Sequence, residues 1–417
     1  VTASPDTVSW AAGSSLSALL PSAAAAMGAP DAANLLGLPA SDRICVILVD
    51  GLGLAALKRK AGHAPFLSKV LSQGLASGTS RRLFSAFPST TAASLASLGT
   101  GLPPGQHGLV GYDVLDPAQD KVVNLLGGWD AKVDPASWQP FPTVFEQLRG
   151  FADAVTVSLP RFETSALTRA ALRGSRFIGG NTGFARTAAA ASAMHAARES
   201  GTPTLLYLYW PELDVAGHRD GLDSPRWEYE LEELDGAVRR LVAQLPPETL
   251  LLLSADHGMI DVPARQRIDY SASPELIAGV RHTAGEPRLV QLHLEPGADQ
   301  DRVAEAWRGA FGSKIRVLSR QQVVAAGWFG PVRAEVVPRI GDLLIAAQEP
   351  LALYDVRRVG ERPLEVVGQH GSTTRAEREV PLLQIPLPES VPGGAGQSRA
   401  KRKGTRTQGF GRTSGRG

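Results

Sequence analysis

The chain of 417 residues contains one cysteine, Cys45. A single thiol excludes an intramolecular disulfide and a zinc knuckle built on cysteine pairs. Cys45 lies inside the apolar run "ICVILV" (44–49), so it reads as a core residue rather than a reactive one. The lack of disulfides fits a reducing compartment, and a cytoplasmic location is the expectation. No apolar stretch reaches the ~20 residues that cross a bilayer, so no membrane span is expected. The opening "VTASPDTVSWAAGSSLSALLPSAAAAMG" lacks the basic start of a signal peptide and is not read as one. Charge of one sign is lacking too, with 43 Lys and Arg against 41 Asp and Glu.

That balance hides an asymmetry. The last 25 residues, "GGAGQSRAKRKGTRTQGFGRTSGRG", hold seven Lys or Arg and no acid. Setting those seven aside leaves 36 basic residues against 41 acidic, so the body of the chain is mildly acidic. A tail of Gly, Ser, Thr and Arg cannot form a core, and 391–417 is expected to be a disordered basic end. Contact of this tail with nucleic acid is the secondary reading.

What is present is an alternation. The apolar runs "ICVILV", "AVTVSL" (154–159), "TLLYLYW" (204–210) and the one in "ETLLLLSADHG" are separated by helix-like segments. The clearest of these is "SPRWEYELEELDGAVRRLVAQL", with Ser224 as cap, Pro225 at the first helical position, and acids early with arginines late. Continuous aliphatic runs alternating with helices predict an α/β fold, a mostly parallel central sheet with helices on both faces. Between about 261 and 360 the texture changes to that of a small α+β insertion. The expected organisation is an N-terminal extension over 1–40, a catalytic domain over 41–260 and 361–390, the insertion, and the tail.

In such sheets ligands collect beyond the carboxyl ends of the strands. Six segments at such places carry chemistry: "LVDGLG" with Asp50, "FPSTTAASLASLGTG" with Thr90 and Thr91, "HGLVGYD" with His107, "WPELDVAGHRDG" with Asp214 and His218, "SADHGM" with Asp256 and His257, and "GQHGS" with His370. Asp214 and His218 are four apart and share one helical face. Three Asp and three His with no sulfur suit Zn²⁺ or another first-row divalent ion. Two ions sharing these six ligands call for one more oxygen, and a hydroxyl at a helix start supplies it, activated as a nucleophile by the metal. The Ser89–Thr91 cluster stands there, where helix N–H groups also receive a phosphate. Singly, each piece has a plainer reading: Asp50 before Gly51 as a turn, the hydroxyls as a helix cap, His107 as a structural residue. His63, His195, His282 and His293 lie outside every segment.

The set and its order resemble the alkaline phosphatase superfamily, and within it the type I phosphodiesterase/nucleotide pyrophosphatase family. The resemblance rests on the "DG" strand end, "FPSTT…TG", "HG", "D-x-x-G-H", "DHG" and "QHG" over about residues 41 to 385. It implies one metal held by Asp50, Thr91, Asp256 and His257, and a second by Asp214, His218 and His370. It implies Thr91, third after the proline of "FP", as the nucleophile that forms a covalent phosphothreonine. Two departures concern substrate. Where the family carries an asparagine after "HG", this chain has Tyr112, with Asn124 a second candidate for the phosphate contact. Where the family often has a lysine before the nucleophile, this chain has Thr90. The loop 160–183, with Arg161, Thr164 and Arg169, is a candidate cover for the leaving group.

The expected activity is hydrolysis of phosphodiester or pyrophosphate bonds with two divalent ions, zinc first and manganese second, acting on a small phosphorylated substrate such as a nucleotide. A phosphomonoesterase or phosphonate hydrolase on the same site is the rival reading. A non-catalytic nucleic-acid-binding protein leaves the ligand set unexplained.

Overall fold

A computed structural model describes residues 13–127 and 129–388. The basic tail therefore lies outside the described residues, as do residues 1–12.

The centre of the molecule is a seven-stranded sheet. Strand Arg43–Val49 is its middle, pairing in parallel with Thr204–Trp210 on one side and Leu250–Ala255 on the other. Side chains alternate between the faces of a strand, yet Ile44 through Val49 are all fully buried. Both faces are therefore covered, which is why the run reads as continuous Val, Ile and Leu. Outward from Thr204–Trp210 follow Asp153–Ser158 and Arg176–Gly179, both parallel. On the other flank Glu379–Ile385 runs antiparallel and is followed by Arg81–Phe84. Six of the seven strands thus point the same way, and their carboxyl ends form one edge.

Two groups of helices cover the sheet. Pro65–Ser77, Gly183–Ser200 and Pro225–Gln244 form one, and Leu19–Ala26, Thr91–Thr100 and Ala166–Ala171 belong to the other. The 225–244 helix forms as its sequence dictates. The Ser224 side chain accepts from the Trp227 N–H, Pro225 starts the helix, and Trp227, Leu231, Leu234, Val238 and Leu241 bury one face.

The described part of the N-terminal extension, residues 13–40, packs into the main domain. Leu16, Leu19, Leu20 and Ala23 are completely buried, Ser15 bridges Phe84, and the Leu36 N–H donates to Ser22 Oγ at 3.1 Å. The small residues of "SAAAA" let this helix lie close to the Thr91–Thr100 helix, so the segment is part of the main core.

A second, antiparallel sheet has six strands in the order Ile315–Ser319, Leu343–Ala347, Leu289–Leu294, Val280–Glu286, Asp113–Asp116 and Lys121–Asn124. Its first four strands come from the 261–360 stretch, with a core of their own around Trp307, Tyr270, Leu292 and Ile345. The last two come from 113–124, a hairpin inside the stretch assigned from sequence to the catalytic domain. The smaller sheet is therefore continuous with the "HGLVGYD" segment. A sequence boundary at 261 cannot show this, because a hairpin's own pattern does not reveal which distant edge it joins.

Candidate active site

Parallel strands deliver the expected residues to one edge. Asp50 follows Arg43–Val49, and its N–H donates to the Trp210 carbonyl at 2.9 Å. Asp256 and His257 follow Leu250–Ala255. Asp214 and His218 stand on helix Glu212–Asp220, which begins just past Trp210. Arg81–Phe84 runs out to Ser89 and to the helix Thr91–Thr100. His370 arrives by a different device: Gly368–Gln369 pairs antiparallel with Ile260–Asp261, just after the His257 loop. Gly258 lets the chain segments meet, since a Cβ there would stand 2.0 Å from the Ala376 carbonyl oxygen.

These side chains converge as two groups joined at His257. Asp50, Asp256 and His257 can offer ligand atoms within 4.8 Å of one another, and so can Asp214, His257 and His370. His257 Nε2 lies 3.3 Å from Asp50 Oδ1, 3.5 Å from Asp256 Oδ2 and 3.2 Å from Thr91 Oγ1. His218 Nε2 lies 3.3 Å from Asp214 Oδ1 and 3.3 Å from His370 Nε2. The rings of His257 and His370 stack with centroids 3.7 Å apart. The first group is sealed, while Asp214 and His218 keep 15% and 34% of their side-chain surface and form the mouth.

Second contacts aim these atoms. Asp50 Oδ2 accepts from the Tyr209 hydroxyl, and Asp256 Oδ1 accepts from the Gly51 and His257 N–H groups at 3.1 and 2.9 Å. The opposite oxygens, Asp50 Oδ1 and Asp256 Oδ2, are buried without a hydrogen-bond partner, as is Asp214 Oδ1. Each of the three imidazoles places Nδ1 on a carbonyl: His218 on Gly368 and His370 on Ser89 at 2.8 Å, His257 on Gly258 at 3.1 Å. A carbonyl only accepts, so Nδ1 carries the proton and the Nε2 lone pair faces the cluster. Lone pairs of His218 and His370 meeting at 3.3 Å, beside three unpartnered buried carboxylate oxygens, repel unless positive charge lies among them. The donor set therefore fits divalent ions.

The electrostatics agree. Burial, then the charges of Asp214 and Asp256, pushes the Asp50 carboxyl well above the usual carboxylate range. Burial, then His257 and His218, holds His370 well below the ordinary imidazole range. A carboxyl raised in the folded state keeps a proton that the unfolded chain releases above about pH 4, so it withdraws stability as pH rises. Metal replaces those protons. Added Zn²⁺ should therefore raise the Tm of chelated protein more at pH 8 than at pH 5.5. Calorimetry at both pH values checks this, and an equal or smaller gain at pH 8 would count against the assignment.

Thr91 opens its helix with its hydroxyl on His257. Thr90, at the cap position, makes no side-chain capping bond, and its hydroxyl is buried and unpartnered. The first-turn N–H groups thus remain directed at whatever lies beside Thr91. His107 supports this helix from outside the cluster, with Nε2 3.0 Å from Ser97 Oγ, and burial lowers its pKa to about 3.

The candidate substrate contacts divide. The Tyr112 N–H donates to Glu286 Oε1 at 2.8 Å, and burial keeps its phenol protonated by raising its pKa. Asn124 hydrogen-bonds the Tyr112 side chain, donates to Asp113 Oδ1 at 2.9 Å, and accepts from the Leu126 and Gly127 N–H groups at 3.1 and 2.9 Å. Its amide is committed to the turn that follows Lys121–Asn124, and the structure does not bring it into the ligand cluster. In the loop 160–183, Phe162 packs edge-on against Tyr209, centroids 5.9 Å apart, whereas Arg169 pairs with Asp134.

Sequence reasoning missed several supports. Besides Tyr209, Arg186 is fully buried and pairs with Glu212 at the base of the Asp214 helix while lying over Trp210. Ser89 carries His370 on its carbonyl and receives the Gly371 N–H on Oγ at 3.1 Å. Burial also pushes the Glu286 carboxyl well above its ordinary range, and Glu286 Oε2 has no partner.

Comparison with solved structures places this fold among known hydrolases. Murine ectonucleotide pyrophosphatase/phosphodiesterase 5, solved as an inactive variant in complex with AMP, aligns with TM-score 0.63 at 17% identity over 83% of this chain and 90% of that one. Phosphonoacetate hydrolase from Sinorhizobium meliloti, in complex with phosphonoacetate, aligns with TM-score 0.62 at 18% identity over 85% and 93%. The fold is that of the alkaline phosphatase superfamily, a class of phosphoester hydrolases. The model of the type I phosphodiesterase/nucleotide pyrophosphatase family matches residues 44–373, and the chain belongs to that family. Its members use two divalent metal ions. Among the described residues no helix is long and apolar enough to cross a membrane.

Proposed function

We propose that this protein hydrolyses phosphodiester or pyrophosphate bonds of a small phosphorylated substrate, a nucleotide or simple diester, through a covalent phosphothreonine at Thr91. The observation that carries this reading is the placement of Thr91 Oγ1 at a helix start, 3.2 Å from His257 Nε2, where the two ligand groups join. Asp50, Thr91, Asp256 and His257 would hold one ion and Asp214, His218 and His370 the other. Oxygen and imidazole donors without sulfur favour Zn²⁺, with Mn²⁺ the second choice. When bound, the ions neutralise phosphoryl charge and lower the pKa of the nucleophilic hydroxyl.

The chain's own residues do the rest. Thr91 Oγ1 forms a bond to phosphorus as the bond from phosphorus to the leaving oxygen breaks, and the hydroxyl proton ends on the departing oxygen. The N–H groups of the first helical turn receive the phosphoryl oxygens as charge grows on them. Tyr112, protonated and hydrogen-bonded to Asn124, is the candidate donor to the substrate. Tyr209 and the Gly51 and His257 amides hold the carboxylates in place throughout. Water then attacks phosphorus, the Oγ1–P bond breaks, and Thr91 recovers a proton.

Diesters are the first choice of substrate. A monoester carries an additional negative charge that calls for a free cation. Arg288, whose charge reaches His370, is fully buried and paired with Glu377. Purified protein of defined metal content should cleave a bis-aryl phosphate diester at least tenfold faster, in kcat/KM, than the matching aryl monoester, and a chelator should abolish both rates. A monoester preference would keep the site and overturn the substrate class.

A further inference from the structure

Three buried side chains bear on the His370 segment without belonging to either ligand group: Glu286 and Glu377 by contact, and Arg288 through Glu377. Glu286 and Arg288 flank Pro287 at the tip of the hairpin made by Val280–Glu286 and Leu289–Leu294. The tip grips residues 370–372 at two points. Glu286 lies against Gly371, where a Cβ would stand 2.9 Å from the Glu286 Cβ. Arg288 grips through Glu377: its Nε donates to Glu377 Oε1 at 2.8 Å and its Nη2 to Oε2 at 3.0 Å. Oε1 also receives the Ser372 N–H at 2.9 Å, and Oε2 receives the Thr374 hydroxyl. Arg288 Nη1 is anchored on the Glu349 and Leu351 carbonyls at 2.7 and 2.8 Å. Ser372 Oγ donates to the Ala347 carbonyl at 2.6 Å, a second tie to the same sheet.

On its other side the segment hangs from the nucleophile loop. Ser89 Oγ donates to the Ser372 carbonyl at 2.9 Å, and the Ser89 carbonyl takes the His370 Nδ1–H. His370 is thus clamped between the loop before Thr91 and the tip of the smaller sheet.

We propose that the 286–288 hairpin tip is the positioning element of the His370 segment, with Arg288 and Glu377 as a positioning pair that sets the affinity of the ion held by Asp214, His218 and His370. This rests on the two-ion reading above. A buried ion pair is a weak source of stability, since desolvation offsets the attraction. What this pair provides is geometry: a planar fork with five donors spans one carboxylate and three carbonyls, and a lysine ammonium cannot. The partners of metal ligands tune affinity in this way, and their loss typically costs about 10- to 100-fold. The tip gives no hydrogen bond to Asp50, Thr91, Asp256 or His257; the Glu377 carbonyl takes the Gly258 N–H at 2.7 Å, a backbone bond that no change of the Arg288 or Glu377 side chain removes, so the first group would be left as it is.

The test is a Zn²⁺ titration of metal-free full-length protein against a competing chromophoric chelator, which reads two affinities. A His370→Ala titration identifies which of the two belongs to the His370 ion. Arg288→Lys should weaken that affinity about 10- to 100-fold and leave the other within about threefold. The paired replacement Arg288→Met with Glu377→Met removes both charges while keeping volume, and it decides the matter if Arg288→Lys does not fold. It should show the same selective loss while melting within a few degrees of wild type. Two affinities at wild-type strength in the folded variants, or equal weakening of both, overturns the proposal. A wild-type protein that binds fewer than two ions overturns the two-ion reading itself, and this inference with it.

Discussion

Replacing Thr91 by alanine should lower kcat for a phosphodiester on the order of 10⁴-fold, about 5.4 kcal/mol of transition-state stabilisation, while two metal ions remain bound. The size follows from what is removed. Thr91 Oγ1 is the hydroxyl at the junction of the two ligand groups, beside the free N–H groups of its helix. The other candidate ligands of the first ion stay fixed without it: Asp50 by the Tyr209 hydroxyl, Asp256 by two backbone amides, and His257 by the Gly258 carbonyl. Substrate still binds, and water still reaches phosphorus, but the two-step route through a covalent intermediate is closed. Single-turnover rates with metal content by mass spectrometry check this, and rapid acid quench with labelled substrate should trap label on wild type only. Thr90→Ala is the control, expected within about fivefold of wild type. A Thr91→Ala enzyme within tenfold of wild type would refute the nucleophile assignment.

His370→Ala should produce the complementary signature. Bound metal should fall from two ions per chain towards one, and kcat/KM on the order of 10³-fold, about 4 kcal/mol. The second group has fewer fixed donors. Asp214 and His218 sit at the solvent-facing mouth on one short helix, and His370 is the candidate ligand that faces them from the other side. Without it, two ligands from adjacent turns remain, too few for a four-coordinate ion. The first group keeps Asp50, Asp256, His257 and Thr91. Two tightly bound ions in dialysed His370→Ala protein would refute the role given to His370. Read together, the two variants separate chemistry from metal loading: one loses rate with its ions, the other loses an ion first.

Much of the fold was legible because continuous aliphatic runs have one economical explanation, a sheet covered on both faces. The 44–49, 204–210 and 250–255 runs became its adjacent central strands. The candidate ligands were legible for the same reason. A strand that must stay apolar announces its end with the first carboxylate or imidazole, as at Asp50 and at Asp256–His257, and Asp214 and His218 share a face by helical spacing alone. Asn124 misled because an amide near a glycine-rich turn looks the same whether it serves a ligand or the turn, and here it serves the turn. The packing of residues 13–40 was not legible because a run of small residues carries no periodic signal, although their small size is what permits close packing on the Thr91 helix.

By itself the sequence determined the class of chemistry: which donor types are present, in what order, and that each stands at the edge where parallel strands end. That information is local, carried by hydrophobic runs and short spacings. The tertiary structure decided how those donors are aimed. Ser89 supports His370 across 281 residues, Tyr209 reaches Asp50 across 159, and Arg288 reaches Glu377 across 89. No periodicity links such pairs, because a hydrogen bond between distant segments depends on where two chains cross, and only the packed sheets fix that crossing.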